Sequence, residues 1–271
     1  MLSVIWDTRN YFFWLLVVSL FCWILERAAS WRRDQRAFRK QIWQDFFWLV
    51  FNGHYAGVLV AFASAWLIDR VLASVGGPAL PSPESTHLLS ALPLWAQFLL
   101  FLVFKDFLEY CVHNLLHRVP WLWEFHKLHH SILELDWIGN FRFHWMEIVV
   151  YRGLTFLPLV VLGIDGQVIL WVAVVGTLIG HLNHSNLNFE WGPFAKLINS
   201  PRFHVWHHDF VLHGRSGQNF AIVFSLWDWL FGTAYRPAAD QPERLGFADM
   251  DRFPESLPGR LLYPFWQRRG G

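Results

Sequence analysis

Five long apolar runs set the terms on which this chain can fold. They occupy residues 11–25, about 46–68, about 92–111, about 148–162 and about 168–179. The first three approach the roughly 20 residues a helix needs to cross a bilayer. The last two are shorter, so a re-entrant or partly spanning hairpin through "GIDG" (163–166) is an alternative to two full spans. Only 16% of the residues are charged and 54% are hydrophobic, whereas a soluble domain carries about a quarter charged. No basic segment precedes the first run and no small-residue cleavage site follows it, so it reads as a retained helix rather than a signal peptide.

Charge fixes the expected orientation. The loop after the first run carries Arg27, Arg32, Arg33, Arg36, Arg39 and Lys40, and the loop after the second carries no Lys or Arg. The positive-inside rule puts the first loop in the cytoplasm, and the ends of the third and fifth runs then reach that same face. The expectation is an all-α, polytopic membrane helical bundle of about four to five membrane helices. It forms a single membrane-embedded domain over residues 1–271, and its cytoplasmic side is a helical, His-rich cap that holds two metals. The polar, Pro-rich tail from about residue 237 closes that cap. A net charge of +1 with no basic stripe argues against nucleic acid. Cys22 and Cys111 both lie in apolar runs, which argues against a disulfide framework or a Cys-based zinc site.

The histidines carry the chemistry. "HKLHH" (126–130) and "HVWHH" (204–208) repeat one spelling, which chance would produce roughly once in a thousand such chains. "HNLLH" supplies His113 and His117; His126, His129 and His130 follow. His181 and His184 come after the fifth run, with His204, His207 and His208 beyond. All ten fall on the face already drawn as cytoplasmic. On a helix, positions i, i+3 and i+4 share a face, so each triplet is expected to aim three imidazoles at one point. Neutral imidazole is a strong metal ligand. Ten rings exceed what one ion takes, and two ions with about five nitrogens each fit the count.

Several metal chemistries are disfavoured. No H-E-x-x-H of a zinc protease is present, and the lone Glu-x-x-His pair, Glu84 and His87, lies in the outer loop. The membrane runs are nearly free of the histidines that haem would need. A His-rich di-iron centre is the remaining good fit.

These residues resemble the fatty acid hydroxylase/sterol desaturase superfamily of membrane di-iron oxygenases. The resemblance rests on "DFLEYCVHNLLH" (106–117), "WLWEFHKLHHS" (121–131), "RFHWME" (142–147), "HLNHSN" (181–186), "SPRFHVWHH" (200–208) and "NFAIVFSLWDWLFGT" (219–233). Together they cover roughly residues 105–235, the expected catalytic region. The resemblance implies iron ligands at His113, His117, His126, His129, His130, His184, His204, His207 and His208, with His181 as a tenth. It implies two iron ions, O2 as co-substrate, and a membrane lipid that is hydroxylated or desaturated. No electron-carrier sequence is present, so a separate donor is expected, a ferredoxin or a cytochrome b5-like protein with its reductase. The membrane would be the inner (plasma) membrane of a bacterium or an ER-type membrane.

Around the ligands, Asp106, His144, Glu147, Asn219 and Asp228 are read as partners that orient imidazoles. Asp106 could alternatively pair with Lys105 or Arg152, and Glu147 with Arg142. Trp121, Trp123, Trp137 and Trp145 read as interfacial anchors. The competing class is a non-catalytic, His-rich metal-binding membrane protein, a carrier or sensor. A carrier places its ligands along the membrane midplane, and here they gather at one face.

Overall fold

The computed structural model describes residues 7–74, 89–155 and 163–265. Its long helices are α1 (Tyr11–Ala28), α2 (Ile42–Val50), α3 (Ala56–Ser74), α4 (Leu94–Arg118), α5 (Pro120–His130), α6 (Trp145–Thr155) and α7 (Gly166–His184). Three short ones follow: α8 (Pro201–His204), α9 (Leu226–Leu230) and α10 (Leu257–Leu262). A π-helical turn, Phe51–Tyr55, joins α2 to α3. Among the described residues there is no β-strand, only the isolated bridges Ser30–Leu187 and Asp209–Leu245.

Among the described residues, two helices, α1 and α7, are long and apolar enough to cross a membrane. Each begins on a side-chain cap: Asn10 accepts from the Phe12 amide at 2.9 Å, and Asp165 from that of Gln167 at 2.7 Å. The fifth run thus becomes a 19-residue helix, longer than the apolar run, because its polar last turn carries His181 and His184. The third run forms α4, whose apolar character is diluted by Lys105, Asp106 and Glu109. The second run is broken at the π-turn, and the fourth continues past α6 into residues outside the described set, as does the outer loop with Glu84 and His87.

Packing follows the apolar faces. Leu15, Val18 and Cys22 of α1 bury against Val174 and Leu182 of α7, with Trp137, Ile138 and Phe141 of a 3-10 turn closing the layer. Phe101 and Leu102 of α4 meet Val168 and Val172 of α7. The opposite faces stay apolar and exposed, at Leu20, Phe21 and Ile24 on α1 and at Leu99, Leu100 and Val103 on α4. Exposed apolar surface on this scale suits lipid rather than water.

The layer around α2 is pinned by buried charge. Asp45 of α2 accepts from Arg142 at 2.5 and 2.6 Å and from Arg39 at 2.7 Å, and Arg39 also donates to Asp136 at 2.6 and 2.8 Å. All four are buried. The alternative Arg142–Glu147 pair is not made: Arg142 pairs with Asp45, and Glu147 is engaged by a histidine. Asn52, on the π-turn, donates to the carbonyls of Phe141 and Phe143 at 2.9 and 2.7 Å. This extra-wide turn sets Asn52 against the segment that leads into α6. The tail is also partly core: Phe247, Phe253 and Tyr263 pack on Trp48 and Leu128.

Candidate metal centre

Four elements deliver nine histidines to one place. The last turns of α4 carry His113 and His117, α5 carries His126, His129 and His130, α7 ends in His184, and α8 with its 3-10 continuation carries His204, His207 and His208. They form two groups, within each of which the candidate ligand atoms lie within 4.8 Å of one another. One holds His113, His117, His126, His130 and His207; the other holds His129, His184, His204 and His208. Eight are buried and His117 is half-buried.

Neither triplet converges on a single point. His126 and His130 face the first group while His129 turns to the second; in the other copy His207 joins the first group, and His204 and His208 the second. Successive residues on a helix point about 100° apart, so the adjacent pair in His-x-x-His-His divides between two centres. The repeat is a crossed pair of clamps, each serving both groups.

Proton positions follow from what each ring's other nitrogen touches. His113 Nδ1 lies 2.7 Å from the Phe220 carbonyl, His207 Nδ1 2.9 Å from that of Gln218, and His184 Nδ1 2.8 Å from that of Gly180. A carbonyl only accepts, so these Nδ1 atoms carry the proton and each neutral ring's Nε2 carries a lone pair. With Glu147 ionised, His126 Nδ1 donates to its carboxylate at 2.7 Å, which fixes Nε2 the same way. Yet His113 Nε2 and His126 Nε2 sit 3.1 Å apart. Two lone pairs cannot hydrogen-bond each other; a cation between them satisfies both. Nitrogens about 2.1 Å from one ion stand about 3 Å apart across a right angle.

Unpartnered atoms agree. His129 Nδ1, His204 Nδ1 and both ring nitrogens of His208 are buried without a hydrogen-bond partner among the described residues. Leaving such an atom unsatisfied costs about 1–3 kcal/mol; at His208, where neither nitrogen has a partner among the described residues, ligation of one offsets part of that cost. Burial first, and then the neighbouring rings, holds His126, His129, His130, His204, His207 and His208 well below the ordinary 6.5. They are neutral near pH 7, the form that binds metal. The donor set therefore fits two metal ions.

The tenth histidine lies elsewhere. His181 bonds Ser19 Oγ at 3.1 Å and Asn140 Nδ2 at 3.3 Å and belongs to neither group. One turn before His184 on α7, it faces α1 and the 3-10 turn instead. Of the expected orienting partners, Glu147 alone touches an imidazole of the groups. The His144 ring reaches the Leu261 carbonyl at 3.1 Å and the Met146 amide at 3.2 Å, and only its backbone N–H meets Glu147, at 3.1 Å.

Asp106, Asn219 and Asp228 act one step further out, on the segment 218–224 whose carbonyls receive His113 and His207. Asp106 accepts from the amides of Val223 and Phe224 and from Trp227 Nε1 at 2.7–2.9 Å, so neither an imidazole nor Lys105 is its partner. Asp228 accepts from the Phe220 and Ala221 amides at 2.8 and 2.9 Å. Asn219, at φ 55°, donates to the carbonyls of Phe203 and Tyr235. Sequence reading missed two further supports: Asn183 donates to Ile222 O and Asn199 to Ala221 O, both at 2.7 Å. Their signal was available, since an apolar segment without a partner strand needs side chains to satisfy its backbone.

A cavity of about 140 Å³ lies beside the second group. His129, His184 and His204 of the second group line it with His113 of the first, and α4, α6 and α7 supply its walls, among them Lys105, Glu109, Tyr151 and Thr177.

Fold and site together define a class: apolar helical proteins with two buried histidine groups able to bind metal. The fatty acid hydroxylase family matches residues 98–233, which include all nine grouped histidines. The chain is 30% identical over 270 residues to an ornithine lipid hydroxylase of Rhizobium tropici, covering 99% of this chain and 78% of that one. It is 30% identical over 164 residues to a methylsterol monooxygenase of Arabidopsis thaliana (56% of this chain, 55% of that one). With a very-long-chain aldehyde decarbonylase of Oryza sativa it shares 33% over 176 residues, 62% of either chain. No solved structure matches. This chain belongs to the fatty acid hydroxylase family.

Proposed function

We propose that this chain is a membrane oxidoreductase that hydroxylates or desaturates a lipid C–H bond, using O2, electrons from a separate protein, and two iron ions held by the two histidine groups. The observation that carries the reading is the pair of proton-free nitrogens, His113 Nε2 and His126 Nε2, held 3.1 Å apart. Family membership and relatives named for lipid hydroxylation and sterol monooxygenation support a lipid as the target. An all-imidazole donor set adds no negative charge to a buried site and suits iron.

When bound, the irons supply O2 reduction and oxidation of an unactivated C–H bond. The chain's residues do the rest. Glu147 and the carbonyls of Gly180, Gln218 and Phe220 hold protons on the outer nitrogens, so the inner ones stay free to ligate. The cavity holds the reacting carbon against His129, His184 and His204, and the burial of these rings excludes water there. His117, half-buried, marks the side from which a donor approaches, either a ferredoxin or a cytochrome b5-like protein with its reductase. The basic loop after α1 favours the histidine groups facing the cytoplasm, in a bacterial inner membrane or an ER-type membrane.

The test is metal analysis coupled to lipid mass spectrometry of cells carrying the wild-type chain or His207→Ala. Two irons per chain and an O2-dependent gain of one oxygen, or loss of two hydrogens, in one lipid species supports the reading. One exchangeable zinc without product would overturn it.

A further inference from the structure

On α4, inside the apolar run 92–111, Lys105 Nζ donates to Glu109 Oε1 at 2.6 Å, with both side chains only 10% and 14% exposed. A charged pair at such a place is costly and marks a functional site more often than a packing one. Both residues line the cavity that ends on His129, His184 and His204. Gly176 of α7 stands opposite Lys105: a Cβ built there would lie 3.7 Å from Nζ, ordinary contact distance, so α7 packs directly against the ammonium. The pair is also incompletely satisfied. An ammonium has three protons to donate and a carboxylate accepts at two oxygens. Among the described residues the ion pair uses one proton and one oxygen. The remaining capacity belongs to whatever fills the cavity.

We propose that Lys105 and Glu109 form the polar subsite for the substrate's head, and that this head is a zwitterion whose ammonium meets Glu109 and whose carboxylate meets Lys105. The proposal rests on the cavity being the lipid site of the function proposed above. The pair already presents both signs side by side, and a ligand with both signs can bind each without leaving the other charge buried and alone. A fatty acid satisfies only Lys105, and a sterol neither. Glu109 lies one helical turn from His113, about 6 Å along the axis, and Lys105 one turn beyond. The oxidised carbon therefore lies in or next to the head, not midway along an acyl chain.

The experiment measures lipid binding to the full chain in nanodiscs by native mass spectrometry, which needs no turnover. The probes share one acyl composition: an amino-acid-headed lipid with free ammonium and carboxylate, its N-acetyl form, its methyl ester, and the free fatty acid; a sterol is added. The zwitterion should bind at least about tenfold tighter than each of the others, the worth of one charge-assisted contact. Glu109→Gln should erase discrimination against the N-acetyl form, and Lys105→Met discrimination against the methyl ester. The double exchange Lys105→Glu with Glu109→Lys retains a pair on the helix and serves as the folding control, with binding of the zwitterion weakened by the reversed order. Equal binding of fatty acid or sterol, or preferences untouched by the variants, would overturn the proposal. A chain that binds the zwitterion selectively yet holds no iron would refute the oxygenase function and leave the subsite standing.

Discussion

His129 and His130 are neighbours in sequence and serve different centres: His129 Nε2 lies 3.2 Å from His184 Nε2, and His130 Nε2 lies 3.0 Å from His207 Nε2. The peptide between them is a rigid spacer between the two groups, so mutations of adjacent residues should be separable in their effects.

Metal content should report that separation. His204→Ala leaves three histidines in the four-membered group and should lose that ion, taking stoichiometry from two per chain to about one. His117→Ala leaves four in the other group, enough for a tetrahedral set, and should weaken binding without emptying the site. Equal losses from both variants, measured by elemental analysis of purified protein, would contradict two independent groups.

Glu147 fixes the proton on His126 Nδ1. Glu147→Leu removes that acceptor and should lower metal affinity roughly 10–100-fold. Glu147→Gln keeps an acceptor oxygen and should lie nearer the lower figure. Chelator competition at fixed pH gives both numbers. Unchanged affinity in the leucine variant would show that the ring is oriented by packing alone.

The depressed histidine pKa values predict how the metal-free protein responds to acid. His126, His129, His130, His204, His207 and His208 stay neutral in the fold well below 6.5. In the unfolded chain they take up protons below about 6.5. Their contribution is intact above that pH and is lost as pH falls toward the folded values. The denaturation midpoint of metal-free protein should drop steadily from about pH 7 to about pH 5, and a flat profile there would contradict the burial of these rings.

Asp106 accepts three hydrogen bonds and donates none. Asp106→Asn turns one oxygen into an NH2 group facing a donor, which should cost about 1–3 kcal/mol and loosen the segment that receives His113 and His207. A lower midpoint with faster metal loss is the expected result; wild-type behaviour in both measurements would remove Asp106 from this role.

Asp45 stands between two guanidiniums. Asp45→Ala leaves Arg39 and Arg142 buried with one carboxylate, Asp136, still paired to Arg39. A loss of about 3–5 kcal/mol is expected, read from chemical denaturation in detergent. A loss below about 1 kcal/mol would mean that water reaches the pair.

The sequence by itself determined the helical, apolar architecture and the inventory of histidines. Both are local properties: run lengths fix the helices, and imidazoles at spacings of three and four fix what a helix end can offer. It also placed Glu147 among the candidate imidazole partners, with pairing to Arg142 as the alternative. Only the tertiary structure decided which ring serves which group, since that depends on how α4, α5, α7 and α8 are rotated about their axes relative to one another. The same is true of His181, identical in type to His184 and one turn away, whose partners Ser19 and Asn140 arrive from far along the chain. Asp106, Asn183, Asn199 and Asp228 were visible as polar residues in apolar surroundings. Their task of holding segment 218–224 was not, because a backbone without a partner strand is satisfied by whatever the fold brings alongside it.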